Sequence, residues 1–138
     1  MGFLIDTNVL SELRKGARMD ANVRLWFDSI ASEDIHISTL VLGEIRHGIE
    51  LMRRRDEIGA ERLENWLFSV RGEAGDRILP VTAEIADCWG RMGIPDPISV
   101  IDGLLAATAL HHNLTLVTRN VRDVMRTGAV LLNPFEAN

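Results

Sequence analysis

Phe3-Leu4-Ile5-Asp6-Thr7-Asn8-Val9-Leu10 is the first patterned stretch of the chain. Three large apolar residues in succession read as a short strand covered on both faces. The Asp-Thr-Asn that follows is helix-capping chemistry, so the strand passes directly into a helix. A carboxylate therefore stands at the point where the chain leaves the sheet.

The same unit recurs outward from this start. Short apolar runs at Ile35 to Ile37, Ile78 to Val81, Thr115 to Val117 and Val130 to Leu132 lack strict alternation, as expected for strands buried on both sides. Between them, Val23, Trp26, Phe27 and Ile30 recur at helical spacing, as do Leu63, Trp66, Leu67 and Val70. Ile45, Ile49 and Met52 continue the same spacing from Leu42. Strands alternating with amphipathic helices predict a three-layer α/β/α sandwich with a short parallel sheet. The strand-free interval from Ser38 to Arg77 has room for two helices broken near Arg55 to Gly59, a helical arm on the sheet. Gly93-Ile94-Pro95-Asp96-Pro97 ends the helix of Trp89 as a loop within one domain spanning 1–138.

Three more acidic residues follow apolar stretches: Glu44 after Leu40-Val41-Leu42-Gly43, Asp102 after Ile98-Ser99-Val100-Ile101, and Asp123 after Leu116-Val117 and a short polar link. No lysine or arginine accompanies Asp6, Glu44 or Asp102 in its own stretch. If the carboxylates converge, each pair about 5 Å apart repels by roughly 3 kcal/mol at an effective dielectric near 20. Such a site is strained when empty and selects a divalent cation. All-oxygen ligands suit Mg²⁺, with Mn²⁺ as the other fit, rather than zinc. Thr118, Asn120 and Asp123 follow the fourth strand and fall on the same carboxyl edge as Asp6, where ligands of open parallel sheets gather. Asn120 or Asp123 supplies the fourth oxygen, and Thr118 a hydroxyl.

Each of these residues has a plainer reading. Asp6 and Asp102 are good helix N-caps, and Glu44 is an ordinary surface glutamate on the helix beginning near Thr39. His111 and His112 sit side by side on a helix with diverging side chains, which suits the helix C-terminus better than a metal. An aspartate ending strand one also suits a phosphatase that forms an aspartyl-phosphate, but the second aspartate this chemistry needs is Asn8 here.

With 46% apolar and 25% charged residues, the chain has the composition of an ordinary globular protein. A net charge of −5 argues against nucleic-acid binding by bulk electrostatics alone. Fourteen of the fifteen basic residues are arginine, and Arg53-Arg54-Arg55 and Arg119, Arg122 and Arg126 cluster locally, so a phosphate-facing patch is compatible with an acidic centre. A single cysteine, Cys88, allows no internal disulfide and fits a reducing cytoplasm. No charged leader precedes the first strand, and Asp6 stands where a myristoylation motif needs Ser or Thr. The longest apolar stretch, Gly103 to Leu110, is too short to span a bilayer, so no membrane partner is expected.

The ordered motifs at 3–13, 42–50, 100–110 and 116–123, with Leu132-Asn133-Pro134-Phe135-Glu136 closing the chain, resemble those of PIN-domain ribonucleases. The nearest group is the VapC toxins, in particular their FitB-like branch. The resemblance implies a Mg²⁺-dependent endoribonuclease of a PIN-like fold. It implies silencing by an antitoxin of the VapB kind, a homodimer with a shared groove, and operator DNA contacted only through the antitoxin. An antitoxin-binding co-repressor with little catalysis is the non-enzymatic alternative. Carried over by motif, Asp6, Glu44 and Asp102 match the acidic metal-site residues, with the fourth place at Asn120 or Asp123. Two departures are Val124, where relatives commonly have Phe, and a shorter stretch between Trp89 and Ile101. Leu51 and Phe68, off the main apolar stripes of the arm, are candidates for the partner surface.

Overall fold

The computed structural model describes residues 1–137. Five parallel strands form one sheet in the order β3-β2-β1-β4-β5: β1 (Phe3–Ile5), β2 (Ile35–Ser38), β3 (Ile78–Leu79), β4 (Thr115–Val117) and β5 (Leu131–Leu132). Phe3 pairs with Ile35 on one side and Thr115 on the other, which makes β1 the central strand. All residues of β1 and β4 are buried, in keeping with strands covered on both faces. Fully burying Leu4, Ile5 or Leu116 contributes about 1.5–3 kcal/mol each.

The edge strands are shorter than their apolar runs. Pro80 follows β3 and has no N–H to extend the ladder. Val130 still accepts a backbone bond from Leu116 (2.8 Å), although its side chain is exposed.

Helices flank the sheet: α1 (Thr7–Leu13), α2 (Ala21–Asp28), α3 (Thr39–Arg53), α4 (Glu57–Ala74), α5 (Ala83–Gly90), α6 (Val100–His112) and α7 (Val121–Val124). Asp20, Ser38, Asp56, Thr82 and Ser99 each cap the N-terminus of the helix they precede through a side-chain oxygen. The expected arm is the α3–α4 pair, broken at Arg54 to Asp56. Its Arg53 joins Arg46 in an ion network with Glu50 and Glu64 (2.6 to 3.2 Å for the closest contacts), so this part of the basic run ties the two helices together. Leu51 and Phe68 are exposed on the arm, 54% and 81% respectively, with Ile58 beside them in exposure at 70%.

Glu12, in the last turn of α1, is buried and holds the loop to α2. One oxygen accepts from Lys15 (2.9 Å) and the other from the backbone of Asp20 (2.8 Å). The Lys15 ammonium and the Asp20 N–H hold its carboxyl below the usual range.

α6 is buried along Gly103 and Leu105 to Ala109, and ends at Asn113 in the left-handed conformation. A Cβ on Gly103 would lie 2.7 Å from the indole of Trp89 on α5, so only glycine lets the two helices approach this closely. His111 and His112 do not diverge as adjacent helical positions suggest. Their rings meet edge to face with centroids 4.9 Å apart, and burial, then its histidine neighbours, push His112 below the ordinary imidazole range. Among the described residues, no helix is long and apolar enough to cross a membrane.

Candidate metal centre

Strand order runs outward from β1 to β3 on one side and from β4 to β5 on the other, so it reverses between β1 and β4. A crevice opens outside the carboxyl ends of strands at such a point. Asp6 leaves β1 there and Thr118 leaves β4 beside it. Asp6 is 7% exposed and Thr118 1%.

Asp6 acts in two ways. Its Oδ1 accepts from the Thr7 N–H (2.7 Å), which caps α1, and its Oδ2 accepts from the Thr118 hydroxyl (2.8 Å). The capping and site readings of this aspartate are thus compatible in one side chain. Burial pushes the Asp6 carboxyl above its ordinary range. The bonds from Thr118 and Thr7 act against that without cancelling it, and the charges of Asp102 and Glu44 add to it.

Glu44 is an exposed residue of α3, and its Oε1 accepts from the Thr7 hydroxyl (2.6 Å). Asp102 lies in the first turn of α6. Ser99, not Asp102, is the N-cap: its hydroxyl accepts from the Asp102 N–H (3.4 Å) and donates to Asp102 Oδ2 (2.8 Å). Each carboxylate therefore meets one hydroxyl, from Thr118, Thr7 or Ser99. Of these donors the sequence singles out Thr118. Ser99 was legible as the first member of a Ser-x-x-Asp box, while the long-range contact of Thr7 to Glu44 had no local signal.

Asp6, Glu44 and Asp102 line one open cleft of about 470 Å³, with Thr7, Asn8, Ser99, Ile101 and Asn120. Asp123 is not among the lining residues. It is exposed on α7, its N–H bonded to the Asn120 carbonyl (3.1 Å). Asn120 in turn donates its backbone N–H to Thr118 Oγ1 (3.0 Å), placing the amide residue next to the buried pair. Asn8 Oδ1 accepts from the Arg119 N–H (3.3 Å), so the residue standing where a phosphatase needs its second aspartate ties two loops together.

The donor set suits a hard cation. No cationic side chain pairs with Asp6, Glu44 or Asp102 among the described residues, and none of their hydrogen bonds involves Glu44 Oε2 or Asp102 Oδ1. No three acidic, imidazole or thiol groups among the described residues converge closely enough to surround one ion. A hard divalent cation that keeps several waters and takes one or two protein carboxylates directly does not require three such groups around it.

Residues 3–127 match the PIN domain family. Over 139 residues the chain is 30% identical to Toxin FitB of Neisseria gonorrhoeae, covering 96% of this chain and 97% of that protein. It is 31% identical to VapC ribonuclease Y4jK of Sinorhizobium fredii over 140 residues, covering 96% and 97%. The solved structure of FitAB bound to a DNA fragment contains a chain that superposes with a TM-score of 0.79 at 28% identity, covering 99% of this chain and 97% of that one.

Proposed function

This chain belongs to the PIN-domain family, and on that footing we propose that it is a metal-dependent endoribonuclease and the toxin of a toxin–antitoxin pair. The observation that carries the reading is the cleft at the switch point of the sheet, which Asp6, Glu44 and Asp102 all line and where none of them pairs with a cationic side chain among the described residues. In this reading Asp6, Glu44 and Asp102 would hold Mg²⁺, directly or through its waters, and Asn120, which lines the same cleft, would complete the oxygen set. Such an ion, when bound, would supply Lewis-acid activation of water and charge stabilisation at the scissile phosphate.

The chain's own residues set up that chemistry. Thr118 keeps Asp6 oriented and lowers the penalty of its ionised form, while Thr7 and Ser99 fix one oxygen each of Glu44 and Asp102. Their unbonded oxygens then remain for the ligand. The walls of buried apolar strands on one side limit solvent behind Asp6.

The protein acts as one domain over 1–138, in the cytoplasm, as a homodimer silenced by a small antitoxin that carries the operator-DNA contacts. The relative solved as FitAB on DNA and the exposed Leu51, Ile58 and Phe68 support a protein partner. The test is to incubate purified chain with a pool of cellular RNAs and Mg²⁺ and to map new ends. Metal-dependent cleavage, absent in Asp6→Asn, is expected; intact RNA under all metal conditions would remove the nuclease assignment.

A further inference from the structure

Resting on the ribonuclease reading above, we propose that Arg119 is the cation that seats the RNA backbone beside the acidic cleft, and that the ring of Phe135 is its fixed platform. The guanidinium carbon of Arg119 lies 4.3 Å from the centroid of the Phe135 ring. Arg119 is exposed, and among the described residues it forms no ion pair. It stands between Thr118, which holds Asp6, and Asn120, which lines the cleft. Its own N–H is anchored on Asn8, another cleft residue.

The platform is itself tied down. Phe135 donates its N–H to Asn133 Oδ1 (3.0 Å), and its carbonyl accepts from Asn22 Nδ2 on α2 (2.8 Å). Stacking on a ring attracts the guanidinium through its face and leaves the in-plane N–H donors free. Free, planar donors at a held position are what a phosphate takes in a bidentate bond.

Six of the other arginines are engaged elsewhere, Arg24 and Arg77 with backbone carbonyls, whereas Arg122 on α7 is exposed and, like Arg119, forms no ion pair among the described residues. Arg46 and Arg53 bind Glu50 and Glu64, Arg91 pairs with Asp87, and Arg126 donates to the carbonyls of Asp96 and Pro97. A chain with a net charge of −5 and three carboxylates in its cleft repels a polyanion, so a cation held on the loop that leads into the cleft residue Asn120 has a disproportionate effect on capture.

The experiment measures binding of a short single-stranded RNA of mixed sequence across a salt series, with chelator present so that the RNA stays intact. Cleavage of the same RNA is followed separately in Mg²⁺. Arg119→Gln should weaken binding about 5- to 10-fold at low salt, and loss of one phosphate contact should make the slope of log affinity against log salt shallower by about 0.7. Phe135→Leu should lose part of both effects, and Phe135→Tyr should restore them, since the ring face is retained. An unchanged slope in Arg119→Gln overturns the inference while native cleavage leaves the nuclease reading standing; so does a lowered melting temperature with an unchanged slope, which marks a packing role. No RNA binding by the native chain in chelator also overturns it. Arg119-dependent binding without any cleavage in Mg²⁺ upholds the seat and removes the nuclease reading instead.

Discussion

The Thr118 hydroxyl donates to Asp6 Oδ2 at 2.8 Å, bridging the ends of the two strands between which the sheet reverses its order. The same oxygen of Thr118 accepts from the Asn120 N–H, so one buried hydroxyl orients both a carboxylate and the loop after β4.

Thr118→Val keeps the shape of the side chain and removes both bonds. Leaving the Asn120 N–H and one Asp6 oxygen without this partner should destabilise the fold by about 1–3 kcal/mol. Thr118→Ser should remain close to native. Urea unfolding of the three proteins decides; equal midpoints for Val and Ser would deny the hydroxyl its role.

Asp6→Asn should abolish Mg²⁺-dependent cleavage while leaving the metal-free protein equally or more stable at neutral pH. The sign follows from the raised carboxyl of Asp6: the folded state keeps its proton to higher pH than the unfolded chain, so ionising Asp6 lowers stability as pH rises through that window. Asparagine still accepts the capping bond from Thr7 and has no charge to strain the cleft. Mg²⁺ should raise the melting temperature of the native chain more than that of the variant. Matching Mg²⁺ responses would take Asp6 out of the metal site.

Gly103→Ala places a methyl group 2.7 Å from the Trp89 indole, one residue from Asp102. Overpacking of this kind typically costs about 1–3 kcal/mol, and here it also shifts the first turn of α6. Adding Trp89→Leu should recover part of the loss, because the two sites are in contact and couple. A strictly additive double variant would show that the helices do not meet as described.

Glu12→Gln should destabilise the protein at neutral pH by about 1–2 kcal/mol, through weaker bonds to Lys15 and the Asp20 N–H. Since the folded carboxyl titrates below its unfolded value, its stabilisation is complete above the ordinary carboxylate range and is lost as pH falls through the lowered value. The two proteins should therefore converge in stability in acid. Thermal melts across that range that keep a constant separation would refute the linkage.

The local patterns carried the fold. Apolar triplets, helical spacing and capping residues specified strands such as Phe3–Ile5 and Thr115–Val117, the broken arm of α3 and α4, and a sheet covered on both faces, because each depends on neighbours within a few positions. They misjudged what depends on a distant partner or on the end of a ladder: the length of β3, stopped by Pro80, and the two histidine rings that meet at 4.9 Å. Of the four acidic residues that follow apolar runs, Asp6, Glu44 and Asp102 line the cleft, whereas Asp123, singled out by the same pattern, does not.

The relation of the carboxylates in space was not legible. Asp6 and Glu44 meet the hydroxyls of Thr118 and Thr7 across 112 and 37 residues of chain, and no periodicity encodes a contact at that separation. Strand order alone put β1 beside β4 and so placed Thr118 against Asp6. The turn of α7 then decided which of two neighbours faces the cleft: Asn120 lines it, while Asp123, three residues on in the first turn of the helix, is exposed. Sequence determines which groups the chain possesses and which local elements carry them. Only the packing of those elements determines which groups line one cleft, and there burial, first among the causes, raises the carboxyl of Asp6 above the ordinary range.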